Sequence, residues 1–307
     1  MSGAVAALLL LAFVAAPLYA SQVAHTTPSA NHLTDRITVD GRQTDVVSID
    51  GVPIGPQWFK ADGRYFLGAD ENGRDLMVRV LYGGRASLVI GAAAILVTLL
   101  LALPLALTAG FFRGRTDAIV LRLLDLIWSF PALLLGVLLS TAISLHGIRI
   151  GPLTITSGSK LIPIMVIGVV YVPYLARPLR GQVLTLREQP FVEAARASGL
   201  GPGRVMASEL LPHLWSTILA LSTLLFANAV VLEAALSFLG AGINPPEPSF
   251  GTLIAAGLND TRLSPHLLLA PSVALVLVVL SFSALGEGLR RALDPHSAIA
   301  VDIVHGQ

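Results

Sequence analysis

The chain has 307 residues, of which 54% are hydrophobic and only 13% are charged, about half of the roughly 25% that is usual in soluble domains. Its formal net charge of +1 provides no basic surface of the kind that binds nucleic acid. Cysteine is absent, which excludes disulfides, thiol catalysis and cysteine-based zinc or iron–sulfur sites. This composition is typical of a protein that lies in a lipid bilayer.

Six apolar runs are candidates to cross about 30 Å of hydrocarbon. They cover residues 4–20, 86–110, 119–145, 161–176, 214–240 and 263–286. The fourth is short, since it is limited by Lys160 and Arg177. We therefore expect it to extend into its flanks or to lie inside the helix bundle.

The first run has two interpretations. It ends in Leu18-Tyr19-Ala20-Ser21, which is compatible with a signal-peptide cleavage site. A signal peptide, however, begins with a basic segment, and Met1-Ser2-Gly3 has none. The sequence therefore favours a retained transmembrane helix over residues 1–20.

The distribution of arginine and lysine among the short connecting segments predicts the orientation. Residues 111–117, 177–213 and 287–307 share one side and carry nine such residues: Arg113, Arg115, Arg177, Arg180, Arg187, Arg196, Arg204, Arg290 and Arg291. The opposite segments carry three, namely Arg149, Lys160 and Arg262. The side with nine is predicted to be cytoplasmic. Six spans then place both termini in the cytoplasm, including a tail at residues 297–307.

Residues 21–85 are predicted to form an external loop. Asp-Gly pairs at Asp40-Gly41 and Asp50-Gly51 are flanked by β-branched residues, a pattern that predicts a small hairpin. The loop is either an accessory segment or a dedicated docking element. The stretch that follows Leu67 predicts a turn and then an amphipathic piece, residues 79–85, at the outer membrane interface.

The third run contains ionisable residues, which are costly to bury without a partner. Arg122 and Asp125 are spaced i, i+3, so we expect them to form a structural pair within one helix. Trp128 and Pro131 are interpreted as packing and as a kink, with no cofactor implied.

A short cytoplasmic helix is predicted over residues 190–199. Pro190 suits the first turn of a helix, and Gly199 is a natural end. A second helix is expected to begin at Pro202 and run to Pro212. On the first helix, one aromatic and three small side chains fall at i, i+3, i+4 and i+7: Phe191, Ala194, Ala195 and Ser198. Such a face fits a groove on another protein, although an amphipathic linker resting on the membrane would show the same periodicity.

Glu233 lies near the outer end of the fifth run, and no basic residue lies within one helical turn of it. Two interpretations remain open. The carboxyl group is either hydrogen-bonded or protonated within the protein, or it lines a transport path.

Several functional groups are missing from the sequence. Neither lysine stands in a Gly-x4-Gly-Lys-Ser/Thr context, so no ATP-binding loop is present. The seven histidines never fall at i and i+4, and we predict no metal site. A membrane enzyme would need clustered catalytic groups, and a secondary transporter more often shows paired inverted repeats. Neither feature is visible.

Four spaced segments carry a family resemblance. Glu193-Ala194-Ala195, Gly199 and Leu211-Pro212 resemble the cytoplasmic signature of the membrane subunits of ATP-binding-cassette importers, with Glu209 where isoleucine is usual. The segments at 67–85, 232–253 and 286–295 are similar to those of the dipeptide, oligopeptide and nickel permeases, specifically their second permease subunit. Together the four segments cover most of residues 65–296.

The resemblance implies an all-α membrane protein of about six transmembrane helices with the type I importer permease fold, its core at residues 86–296. It further implies a bacterial inner-membrane location and a heterodimer with a homologous permease subunit. Two cytoplasmic ATPases would hold ATP and Mg²⁺, so this chain would bind no cofactor and catalyse no reaction. An external binding protein would deliver the substrate.

In this family the Glu-Ala-Ala segment is the coupling helix, which seats in a cleft of the ATPase. Short peptides are the expected cargo. The alternatives are import of nickel or another small solute and, further from the resemblance, a stand-alone channel or secondary transporter.

Overall fold

The computed structural model describes residues 2–58, 60–61, 64–150, 153–155, 158–258 and 261–293. Helices dominate these ranges, so the expected all-α class is confirmed. By length and composition, four helical segments among the described residues can cross a membrane, and the count reaches six if each of two bent helix pairs forms one span. The predicted tail at 297–307 lies outside the described residues.

The first apolar run forms two helices, α1 (Ser2–Val14) and α2 (Ala16–Gln22). Their axes differ by 48°. Helix α1 packs against the last helix of the chain, described below, and Phe13 meets Phe250 edge to face with ring centroids 6.0 Å apart.

The described residues between 23 and 75 form a packed loop segment. Strands β1 (Arg36–Val39) and β2 (Arg42–Asp45) are antiparallel and joined by Asp40 and Gly41, which confirms the predicted hairpin. The second Asp-Gly pair lies in a turn that is closed by a bridge between Val47 and Pro53. The side chains of the segment's core are Ile37, Val46, Ala61, Tyr65 and Ala69.

Helix α3 (Leu76–Phe112) is the longest element, with 37 residues, or about 55 Å at 1.5 Å per residue. It begins ten residues before the apolar run that predicted it.

Asp75 caps helix α3, since its carboxylate accepts a hydrogen bond from Val78 N at 3.2 Å, and it also accepts one from Tyr65 N at 2.7 Å. Burial raises the pKa of Asp75, against the opposing effect of these hydrogen bonds. The amphipathic piece predicted at 79–85 is continuous with the second span, since these residues belong to the early turns of α3, and its place at the outer membrane interface stays a prediction.

The third apolar run is broken. Helix α4 (Gly114–Trp128) and helix α5 (Ala132–His146) meet at 87° around Ser129 to Pro131. Pro131 stands just before α5, where its fixed φ and missing N–H suit a helix start. The expected kink is present, but it is a near right-angle turn rather than a bend within one helix. A short hairpin of β3 (Ile148–Ile150) and β4 (Leu153–Ile155) follows.

Helices α6 (Leu161–Val170) and α7 (Val172–Leu186) together form a candidate span of 26 residues. The expectation that the fourth run extends into its flanks is thus confirmed. After the segment of residues 190–213, which is described below, α11 (Trp215–Phe238), α12 (Phe250–Gly257) and α13 (His266–Leu293) follow. Helix α3 lies at the centre, in contact with α6, α7 and α11, while α13 packs on α11, α12 and α1.

Candidate functional site

The predicted short helix is present as α8 (Pro190–Ala197). Gln189 is extended, Pro190 occupies the first turn, and Gly199 ends the segment with φ +84°. A Cβ at Gly199 would meet nothing within 4 Å. Its left-handed backbone, rather than lack of space, is therefore what favours glycine there.

The two faces of α8 differ from the expectation. Val192 and Ala195 are buried, at 0% and 7% exposed, so Ala195 faces the chain's own interior rather than a partner. Phe191 is half-buried. The predicted face is therefore split, and the outward surface of α8 is formed by Glu193, Ala194, Arg196, Ala197 and Ser198.

A second helical segment supports α8 from behind, as predicted from Pro202. It consists of α9 (Pro202–Arg204), a π-helical turn (Val205–Leu210) and α10 (Leu211–His213). Val205 and Leu210 are fully buried. Leu211 N donates to the carbonyl of Met206, five residues back, and Pro212 next to it has no N–H to continue a regular α-helix. Pro212 is exposed and Leu211 is half-buried.

Two arginines attach α8 and the end of α7 to the end of α3. Arg187 Nη1 donates to the carbonyl of Phe111 at 2.5 Å, which satisfies a helix C-terminus. The guanidinium carbon of Arg196, on α8, lies 4.7 Å from the centroid of the Phe111 ring. A displacement of α8 would therefore act directly on the longest helix of the protein.

An aromatic stack joins α8 to the end of α10, just before α11 begins. The rings of Phe191 and His213 are stacked, with centroids 4.6 Å apart and planes inclined by 18°. His213 Nδ1 lies 2.6 Å from the carbonyl oxygen of Glu209. No local sequence pattern points to His213, because its contact joins residues 22 positions apart.

Behind this stack lies a groove of about 770 Å³ between α7, α11 and α13. One wall carries Gln182, whose Nε2 donates to Thr217 Oγ1 at 2.8 Å. The lining mixes apolar with hydrogen-bonding side chains: Pro178, Gln182, Thr185, Leu186, His213, Ser216, Thr217, Ala220, Leu221, Leu224, Gly286, Glu287 and Arg290. This volume is in the range of small-ligand sites.

Glu233 does not line the groove. It is fully buried, and its Oε1 accepts a hydrogen bond from Ser237 Oγ at 2.7 Å. Ser237 Oγ in turn accepts from Ile243 N at 2.9 Å. The carboxyl group thus connects α11 to the loop that follows it, which favours the hydrogen-bonded alternative over a path-lining one.

The expected pair of Arg122 and Asp125 is not among the ion pairs of the described residues. Asp125 pairs instead with Arg177 of α7, and Asp117 pairs with Arg180. Arg122 is exposed. The i, i+3 prediction was wrong because α7 lies beside α4 and brings two arginines to its polar face.

No group of three or more His, Asp or Glu residues that could hold a metal ion occurs in the part of the chain that the structure describes.

Comparisons with known proteins agree with this architecture. Residues 102–298 match the family described as binding-protein-dependent transport system inner membrane component. The chain is 36% identical over 234 residues to the oligopeptide transport system permease protein OppC of Escherichia coli K12, covering 76% of this chain and 72% of that one. It is 34% identical over 241 residues to the di/tripeptide transport system permease protein DppC of Pseudomonas aeruginosa, covering 78% and 75%.

A third relative is the glutathione transport system permease protein GsiD of Pectobacterium atrosepticum, 33% identical over 231 residues, with 75% of this chain and 72% of that one covered. The fold is similar to that of the MetNI methionine ABC transporter in an inward-facing conformation. The TM-score is 0.57 at 20% identity, with 71% of this chain and 98% of that chain covered.

The type I importer permease fold and the family resemblance are thereby confirmed, and membership implies ATPase and binding-protein partners. The chain is a multi-pass membrane permease that belongs to the binding-protein-dependent transport system inner membrane components.

Proposed function

We propose that this permease is one of two homologous membrane subunits of an ATP-driven importer of short peptides. The cargo class is taken from the relatives, which include permeases named for dipeptides, oligopeptides and glutathione. The heterodimer, the inner-membrane location and the cytoplasmic position of both termini follow the sequence argument and belong to this proposal.

In this proposal α8 is the coupling helix that seats in a cleft of a cytoplasmic ATPase. The observation that carries it is the asymmetry of α8. Its outward surface consists mainly of short side chains, with Glu193 and Arg196 as the charged exceptions. Its inner side is fixed by the buried Val192 and Ala195, and the exposed Arg196 also contacts Phe111 at the end of α3. A surface with small side chains allows close approach of a partner, and a fixed inner side passes the partner's movement on.

The energy for transport comes from the partner ATPases in this proposal. Neither lysine of the chain stands in a phosphate-binding loop, so ATP and Mg²⁺ would be held by those subunits and this chain would have no catalytic residue. The external binding protein would deliver the peptide.

The groove between α7, α11 and α13 is proposed as this chain's part of the transport path. It is lined by three membrane helices and ends beside α8. Its hydrogen-bonding groups, such as Gln182 and Thr217, would be unfavourable against lipid but suit a hydrated passage.

The test combines co-purification with uptake. Tagged permease extracted in mild detergent should bring two ATPases and a second permease with it. Cells that lack the chain should lose accumulation of labelled di- to pentapeptides and regain it on complementation. Normal peptide uptake in the deletion strain would contradict the proposed cargo. Labelled Ni²⁺ measured in the same strains tests the nickel alternative, and a preparation that contains no ATPase would favour a stand-alone channel.

A further inference from the structure

We propose that His213 is a positioning residue that transmits movement of the coupling helix α8 to the groove between α7, α11 and α13. This inference rests on the proposed function, since it assumes that α8 meets an ATPase and that the groove carries cargo. It concerns one contact between them, which that function does not require.

The first observation is the place of His213 in the chain. It is the last residue of α10 and is separated from α11 only by Leu214, which is fully buried. Helix α11 forms one side of the groove, and the His213 side chain itself lies in the groove lining. A force applied to His213 therefore acts on the first turn of α11 and on the groove wall together.

The second observation is the contact with α8. The imidazole ring stacks on Phe191, which lies in the first turn of α8, with centroids 4.6 Å apart. Three other side chains of α8 make their described contacts away from the groove. Val192 and Ala195 belong to the large buried core, and Arg196 lies on Phe111 at the end of α3. Among the described ring contacts of α8, the stack on His213 is the contact with a residue of the groove lining.

The third observation is the fixed orientation of the ring. A distance of 2.6 Å between Nδ1 and the carbonyl oxygen of Glu209 requires the nitrogen to donate, so Nδ1 carries a proton. The carbonyl belongs to the π-helical turn, one turn before His213. The ring is thus held between Phe191 and its own helix, which is what a rigid transmitting contact needs.

The experiment uses the complete importer in proteoliposomes, with both permeases, the ATPases and the binding protein. The measured quantity is labelled peptide transported per ATP hydrolysed. His213→Ala should lower this ratio by about fivefold or more, since coupling between sites is commonly of that size. His213→Phe preserves a flat ring against Phe191 but cannot donate to the Glu209 carbonyl, so it should restore only part of the ratio. A folding or assembly defect would instead lower transport and hydrolysis in parallel and leave the ratio unchanged.

A double-mutant cycle provides a second measurement. If the stack transmits movement, Phe191→Leu and His213→Ala should be non-additive, because either change alone removes the same contact. Ser216→Ala serves as the control, since Ser216 also lines the groove but has no ring to stack. Phe191→Leu combined with Ser216→Ala should be additive.

The outcomes separate the inference from the proposed function. A wild-type importer that transports peptide, together with an unchanged ratio in His213→Ala, would overturn the role of His213 alone. A ratio as low in His213→Phe as in His213→Ala would also overturn it. Failure of the wild-type preparation to assemble with ATPases or to transport any peptide would overturn both.

Discussion

Arg177 of α7 stacks on Trp128 of α4, with its guanidinium carbon 3.9 Å from the ring centroid, while the same side chain pairs with Asp125. One arginine thus contacts two residues of the last turn of α4, immediately before the 87° turn into α5. The polar face of α4 is held against α7 at both ends, since Asp117 pairs with Arg180 near its start. Contacts with α7 therefore fix the position of the turn between α4 and α5.

Loss of this contact should destabilise the permease. Arg177→Leu removes the stack and the ion pair, and we expect about 1 kcal/mol, mostly from the stack, because Asp125 is largely exposed and exposed pairs contribute little. Thermal unfolding in detergent checks this. Arg122→Leu is the matched control and should leave the unfolding temperature unchanged. If Arg122→Leu lowered the unfolding temperature more than Arg177→Leu does, the result would support the pair of Arg122 and Asp125 expected from the sequence.

The outward surface of α8 should be required for coupling. Glu193→Lys and Ala194→Trp change exposed positions without disturbing the buried Val192. We expect both variants to reach the membrane and both to lose peptide uptake, because the helix no longer fits the ATPase. Glu209→Lys makes the same charge change at a half-buried position of the neighbouring segment and should retain most uptake. Normal substrate-stimulated ATP turnover in both α8 variants would refute the assignment of α8.

Glu233 should act through its hydrogen bond and not through its charge. Glu233→Gln keeps an acceptor for Ser237 and should leave the uptake of cationic, neutral and anionic peptides near normal. Glu233→Ala leaves Ser237 without that acceptor and opens a cavity, so it should cost about 1–3 kcal/mol of stability. Unfolding and uptake measured on both variants decide the matter. A change of peptide preference in Glu233→Gln would support the path-lining alternative instead.

Local signals in the sequence were sufficient for the elements whose ends are set locally. Pro190 and Gly199 bounded α8, Asp40-Gly41 set the hairpin, and the long apolar fifth run gave α11. Each depends on backbone preferences of a few adjacent residues. The same local signals placed the segment from Glu193 to Pro212 between two apolar helices, which are α7 and α11 in the structure.

Other features depended on contacts between distant residues and were not predictable from one sequence. Helix α3 starts at Leu76 because its first turns pack on the loop segment and on α12, even though Arg79 interrupts the apolar pattern. Asp125 pairs with a residue 52 positions away. The buried side of α8 was not predicted correctly because Ala195 is small enough to lie on a buried or an exposed face. The packing of residues 202–213 behind α8 decides that it is buried.

The orientation can be tested directly, because the chain has no cysteine that would give background labelling. Single cysteines at Ser29, Ser48, Ser198 and Ser297 would be probed with a membrane-impermeant maleimide on intact cells whose outer layers admit it. Positions 29 and 48 should label, while 198 and 297 should label only after lysis, because the arginine distribution places these two in the cytoplasm. Ser198 and Ser48 are both accessible on the protein surface, so a difference between them reports the side and not burial. Labelling of position 198 in intact cells would remove α8 from the reach of any cytoplasmic ATPase. An N-terminal tag on the same proteins completes the test, since its retention supports a first span and its loss supports a cleaved signal.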